Sequence, residues 1–331
     1  MSITSCGGGG SDNNPQPEPP QAPNPGEVEA QAYVAEILSI MQNNALTRKE
    51  LNWDGIRSEV LALADGAESI SQTYPAITRA LELIGTNHSF LNGPDGTLIT
   101  YPSDIFCPPP QPLERPELPL GIAYIRVDAI STRDNSEARA EATAIQNRIA
   151  SEDNQDITGW IVDLRNNAGG NMWPMVAGLG PLFEGATNTL GHFIDPDEVI
   201  TLWGYDSGSA FLSSDSGRSD VVTVSAPYTL INPLPKIAVL SSETIASSGE
   251  ATLISFKKQV NVRIFGSDSC GLSTANQVFT LSDGSQLFLT VSVMADREQQ
   301  RYGQAVAVDQ ASVPEETVSD ALQWLTAQGI D

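Results

Sequence analysis

The sequence predicts an α/β fold, and three observations carry that expectation. Apolar, β-branched runs recur at 158–164, 237–241, 260–265, 276–281 and 286–293. Helical patterns alternate with the first of them, and length separates the two periods: the strands are short, while the helical stretches run three turns or more. With 331 residues the chain has ample length to bury one sizeable core and a smaller accessory unit.

In chain order, residues 1–27 read as a flexible tether rich in Gly, Pro, Asn and Gln. Residues 28–92 follow as a small N-terminal helical bundle. Val34, Ile37, Leu38 and Met41 share one face, as do Ile56, Val60 and Leu63, then Ile77, Leu81 and Ile84. Breaks fall at Asn43-Asn44, Asp65-Gly66 and Tyr74-Pro75. Residues 93–120 are a Pro-rich connector, and 121–331 form the α/β core, opening with a strand at 121–127. Within the core, Asn135 or Ser136 is expected to cap a helix carrying Ala138, Ala142, Ile145 and Ile149. Residues 185–232 fit neither period well and read as a strand-rich or mobile insertion; a last helix starts at Glu315.

Two strings stand where a strand turns into a helix. Ile157 to Leu164 runs into Asn166-Asn167-Ala168-Gly169-Gly170, after which Met172, Met175, Val176 and Leu179 recur at helical spacing. Ile237 to Leu240 leads to Thr244-Ile245-Ala246-Ser247-Ser248-Gly249-Glu250 and a helix beginning near Ser247. A Ser at such a turn exposes its Oγ beside unpaired N–H groups, and the helix N-terminus favours negative charge there.

Together these strings resemble the active-site halves of the S41 peptidases, the C-terminal (tail-specific) processing proteases and the tricorn core protease. Gly266-Ser-Asp-Ser-Cys-Gly-Leu-Ser273 and the segment Phe279 to Thr290 resemble further blocks of that family, in the right order. The resemblance implies a crotonase/Clp-protease-like mixed sheet core. It also implies Ser247, three residues before Glu250, as nucleophile, with backbone N–H groups of Gly169 or Gly170 and of Ser248 as oxyanion hole. The tail-specific enzymes place a Lys general base where this chain has Leu272, which cannot accept a proton. The four lysines include none placed to replace it, and the short run from His88 to Gly121 leaves no room for a PDZ module. The chain therefore resembles a branch without either feature.

In the tricorn-like branch a His takes the base role, and Leu83 to Phe90 resembles its segment. This implies His88 as general base, the alternative being a polar residue that ends the helical region. An orienting acid is sought at Asp296 or Glu298, each of which could equally be a surface charge beside Arg297; Asn87 and Ser89 are further candidates. His192 matches no motif and is expected to be structural or exposed.

The net charge of −24 argues against nucleic acid or anionic membrane as partner. No His/Cys cluster or phosphate loop implies a metal or other cofactor. Ile3-Thr-Ser-Cys6 followed by four Gly resembles a bacterial lipobox, so that Cys6 would be lipidated and the protein exported to the periplasm or cell surface; a plain N-terminal tail is the alternative. In such a compartment a disulfide between Cys107 and Cys270 is expected, against two free buried thiols. The expected function is a serine peptidase acting on a peptide or protein through an acyl-enzyme. A non-catalytic ligand- or peptide-binding lipoprotein that keeps the fold is the rival.

Overall fold

The computed structural model describes residues 24–183 and 188–327. Cys6 and the tether up to residue 23 lie outside the described residues. The end of the expected tether is helical instead: α1 (Pro25–Asn44) starts where Asn24 accepts the Gly26 N–H and Glu27 accepts that of Asn24. Proline fits the first helical turn because its missing N–H would find no intrahelical partner there.

α2 (Trp53–Leu63), a 3₁₀ turn at Ile70–Thr73 and α3 (Tyr74–Ile84) complete the helical region. Gly85, at φ 64°, ends α3. The apolar faces of these helices bury Val34, Ile37, Leu38, Met41, Ile77 and Leu81 against Leu91, Ile99, Leu287 and Leu289 of a sheet, so they share one core with its strands.

That sheet has eight strands. β1 (Phe90–Asn92) and β2 (Leu98–Ile99) form one edge. Next come β3 (Ile122–Arg126), α4 (Asn135–Glu152) and β4 (Gly159–Asp163), whose two strands belong to a second sheet, and α5 (Met172–Leu179) follows. The segment expected as an insertion contains two antiparallel hairpins: β5 (Thr189–Ile194) with β6 (Ile200–Asp206), and β7 (Ser209–Ser214) with β8 (Gly217–Thr223). These strands continue the eight-stranded sheet.

The chain then returns to the second sheet through β9 (Lys236–Ser241), α6 (Ser248–Phe256) and β10 (Val262–Gly266). β11 (Thr274–Thr280) and β12 (Gln286–Asp296) form a long hairpin in the first sheet, and β13 (Gln310–Ala311) and α7 (Thr317–Thr326) close the chain. The second sheet is all parallel, in the order β13-β10-β9-β4-β3. Successive side chains of a strand face opposite ways. Ile125, Trp160, Val162 and Val239 accordingly pack on the α4–α5–α6 side, while Tyr124, Ile161, Ala238 and Leu240 pack under Ala321 and Leu325 of α7.

One cap differs from expectation. α4 is capped by Asp134, whose Oδ1 accepts the N–H groups of Ser136 and Glu137, rather than by Asn135 or Ser136. A carboxylate in this position also complements the positive end of the helix.

Candidate active site

A cleft of about 1120 Å³ lies between one face of the eight-stranded sheet and the carboxyl ends of β4 and β9. Ser247, Ser248, Gly170, His88 and Leu272 all line it.

Ser247 sits directly before α6 at φ 54° and ψ −118°. A non-glycine residue with positive φ is strained, and such strain persists only where surrounding bonds fix it. Here the Ser247 N–H donates to Glu250 Oε2 at 2.8 Å. The other oxygen of Glu250 accepts from Ser269 Oγ at 2.6 Å and from the Gly271 N–H at 2.9 Å. Glu250 is fully buried, and burial pushes its carboxyl up to about 7, against the opposing effect of these donors.

The glycine turn after β4 is held against this helix end. Gly169 and Gly170 have φ of 102° and 107°, a region open chiefly to glycine. A Cβ on Gly169 would stand 2.7 Å from the Ala246 oxygen, and one on Gly170 would stand 2.2 Å from that of Ile130. Ser248 Oγ donates to the Gly170 oxygen at 2.7 Å, and Ala246 N–H donates to the Asn167 oxygen. The Gly169 N–H is itself occupied, since it donates to Asn167 Oδ1. That leaves the N–H groups of Gly170 and Ser248, which meet no acceptor among the described residues, so of the two glycines only Gly170 can offer its N–H to a ligand.

His88 stands just before β1, half-buried. Its Nδ1 bonds Thr274 Oγ1 at 2.8 Å, and its carbonyl accepts from Asn276 Nδ2. Burial lowers its pKa to about 4, so the ring is neutral at physiological pH. No hydrogen bond joins His88 directly to Ser247 among the described residues.

The two carboxylates sought as partners of His88 lie elsewhere. Asp296 is fully buried, but its oxygens accept from the N–H groups of Glu298 and Gln300 and from Tyr302 Oη, so it stabilises the turn after β12. Glu298 pairs with Lys258 at the surface. Asn87 and Ser89 bond other partners, and Asn87 Oδ1 accepts from Ser103 Oγ. The Asn87 N–H donates to Tyr101 Oη, and Ser89 Oγ bonds Thr86 and Thr290. His192 is buried and bonds the Asp296 carbonyl, a structural position.

Thr274, Asn167 and Glu250 are neighbours of the candidate site to which the sequence alone assigned no role. Thr274 only opens a strand, with nothing to mark it. Glu250 carried a signal, being an acidic residue three positions into the helix after Ser247.

Cys107 and Cys270 form a disulfide, with Cα atoms 5.3 Å apart. It fastens the Pro-rich connector to the loop that contains Gly271 and Leu272. Among the described residues no group of three or more His, Cys, Asp or Glu could hold a metal ion, and no helix is long and apolar enough to cross a membrane.

The chain is similar to several known proteins. The chain is 28% identical over 304 residues to a nisin-resistance protein of Lactococcus lactis subsp. lactis, covering 90% of this chain and 87% of that one. Its fold is similar to that of a lipoprotein from Streptococcus agalactiae, with a TM-score of 0.71 at 23% identity over 92% of this chain and 97% of the other. The photosystem II D1 C-terminal processing protease is similar as well, with a TM-score of 0.55 at 14% identity over 90% and 98% of the two chains. The sequence pattern of Peptidase family S41 matches residues 121–311, more than half of the chain, and the chain belongs to that family.

Proposed function

We propose that this chain is a serine peptidase in which Ser247 attacks the substrate carbonyl and His88 moves the proton. The observation that carries this reading is the strained Ser247 at the head of α6, sharing one cleft with His88 and with the unengaged N–H groups of Gly170 and Ser248.

In the proposed reaction, His88 Nδ1–H donates to Thr274 Oγ1, which leaves Nε2 with its lone pair to take the Ser247 proton. The tetrahedral oxyanion is held by the Gly170 and Ser248 N–H groups, favoured further by the end of α6. His88 then protonates the leaving amine. Water, deprotonated by the same ring, hydrolyses the acyl-enzyme and restores Ser247. Thr274 has the orienting place that an acid holds in a Ser-His-Asp triad.

A peptide substrate in the cell envelope fits the relatives, one named for nisin resistance and one a lipoprotein. Lipidation of Cys6 belongs to the same reading. A fluorophosphonate probe tests the function: it is expected to label the wild-type chain and not Ser247→Ala. A folded wild-type chain that resists the probe would instead be a binding protein that keeps the peptidase fold, a reading favoured by Leu272 in place of a Lys.

A further inference from the structure

Five consecutive residues of β11, Thr274 to Val278, line the cleft. Alternate side chains of a strand point to opposite faces, so five in a row can line one cavity only if the strand turns its edge towards it. That edge is unpaired among the described residues, because β11 pairs with β12 alone.

The direction of the free backbone groups follows from the partner strand. On β12, the Thr290 N–H donates to Ser89 Oγ and the Thr290 oxygen accepts from the Leu46 N–H. Both groups therefore face away from β11. In an antiparallel ladder, opposed residues either exchange both bonds or both turn outward. Asn276, opposite Thr290, must then direct its own N–H and C=O to the free edge, and so must Val278, opposite Phe288 two residues on. Gln277 lies between them and points inward to Leu289. At the start of the strand, Thr274 carries the hydroxyl that bonds His88.

We propose that the free edge of β11 is the docking site for the substrate main chain, which adds to the sheet as a further strand beside Asn276 and Val278. The inference rests on the peptidase reading. The occupant is an extended peptide, recognised by its backbone amides and not by a particular sequence. Its location follows from continuity with the proposed machinery, since the same strand begins at the hydroxyl holding His88 and the same cleft ends at Ser247 and Gly170. The wall beside the edge is aromatic, with the Arg133 guanidinium lying over the Phe288 ring 4.7 Å from its centroid. Phe90 and Phe288 stack with centroids 4.4 Å apart, and Val278, 45% exposed, stands opposite Phe288. Every second side chain of a docked strand would lie on this wall.

Two covalent probes test the proposal: a compact ethyl fluorophosphonate with no peptide, and acetyl-Ala-Ala-Phe diphenyl phosphonate. Val278→Pro removes one outward N–H and no ladder bond, a change edge strands tolerate. It is expected to leave the compact probe's labelling rate unchanged and to lower that of the peptidyl probe about tenfold, the size expected for losing one backbone bond together with steric blocking. Val278→Ala, which keeps the N–H, should stay within about threefold of wild type with both. Equal rates for Val278→Pro and wild type with the peptidyl probe would overturn the docking site. Where Val278→Pro melts early, N-methylation of successive amides of the peptidyl probe decides on the wild-type chain: sensitivity at alternate positions supports the strand, and uniform or absent sensitivity overturns it. Failure of the compact probe to label wild type at Ser247 would instead remove the peptidase reading, and the docking site with it.

Discussion

Glu250 holds Ser247 at the head of α6, the Ser247 N–H donating to Glu250 Oε2 at 2.8 Å, and through this bond the geometry of the proposed nucleophile depends on a fully buried carboxylate. The same side chain holds Ser269 and Gly271, on either side of disulfide-bonded Cys270. Glu250 is thus a positioning residue, fixing the α6 entry from one side and the Cys270 loop from the other.

Replacing Glu250 with Gln places an NH₂ group against donors that need an acceptor. Each buried donor left unpaired costs roughly 1–3 kcal/mol, so a lower melting temperature is expected together with slower labelling of Ser247. The pH dependence should change as well. Burial raises the carboxyl from its ordinary 4.5 to about 7, so between those values the folded chain holds a proton that the unfolded chain has lost. Folding stability therefore falls as pH rises through this window, by about 3 kcal/mol at most, and levels off above it. Denaturant titrations at a series of pH values should show this slope in wild type and lose it in Glu250→Gln; an identical slope in both would assign it to other groups.

His88 is held neutral by burial, with its pKa lowered to about 4. A neutral ring is what a general base requires, so the loss of Ser247 labelling attributable to His88 protonation should centre near pH 4, not near an ordinary His value of ~6.5. Labelling rates measured from pH 3.5 to 8 check this. His88→Ala should lower the rate about 10²–10⁴-fold at all of them.

Thr274→Val keeps the shape of the side chain but removes the hydroxyl that bonds His88 Nδ1. The ring then loses the contact that fixes its orientation and tautomer. Turnover is expected to fall about 10–100-fold with little change in melting temperature, as for the loss of an outer partner that orients a His. Asp296→Asn should instead lower stability and spare the pH profile of Ser247 labelling, because its carboxylate serves the turn after β12.

Gly169→Ala tests the glycine turn. The new methyl would meet the Ala246 oxygen at 2.7 Å on a backbone at φ 102°, and both features penalise it. A destabilisation of about 2 kcal/mol or more is expected, with loss of labelling as Gly170 moves from Ser248. Gly66→Ala is the control. It also has positive φ but no atom within 4 Å of the new methyl, so its effect should be smaller and confined to stability.

The Cys107–Cys270 bond closes a loop of 163 residues in sequence separation. Cross-links of that span typically contribute about 2–5 kcal/mol, so Cys107→Ser with Cys270→Ser should melt measurably lower than the oxidised chain. Thermal melts with and without reductant, on wild type and on the double variant, give the comparison. Reductant should have no effect on the variant.

Much of this architecture was legible in the residue pattern, because parallel strands buried on both faces leave uninterrupted apolar runs such as Trp160-Ile-Val and Ile237-Ala-Val-Leu. The glycine turn was legible too, since only glycine suits φ above 100° at a close backbone approach. The partners of His88 were not. Thr274 lies 186 residues from it, and a hydroxyl at a strand start has no local signature. Asp296 misled for the opposite reason: a carboxylate beside a predicted strand end says nothing about which donors surround it. The hairpins between Thr189 and Thr223 were obscured because their outer strand is largely polar and exposed, which weakens the period-two pattern.

His88 belongs to the first third of the chain and Ser247 to the last, and their shared cleft depends on long-range contacts such as β1 with β12 and His88 with Thr274. Contacts between such distant segments form late in folding, since long loops must close before anything rewards the closure. A growing or threading chain would thus emerge with its proposed base long before its proposed nucleophile, and the two would meet only when the far end arrives. On the peptidase reading, such a chain would be inert in transit and would become able to cut only at final assembly.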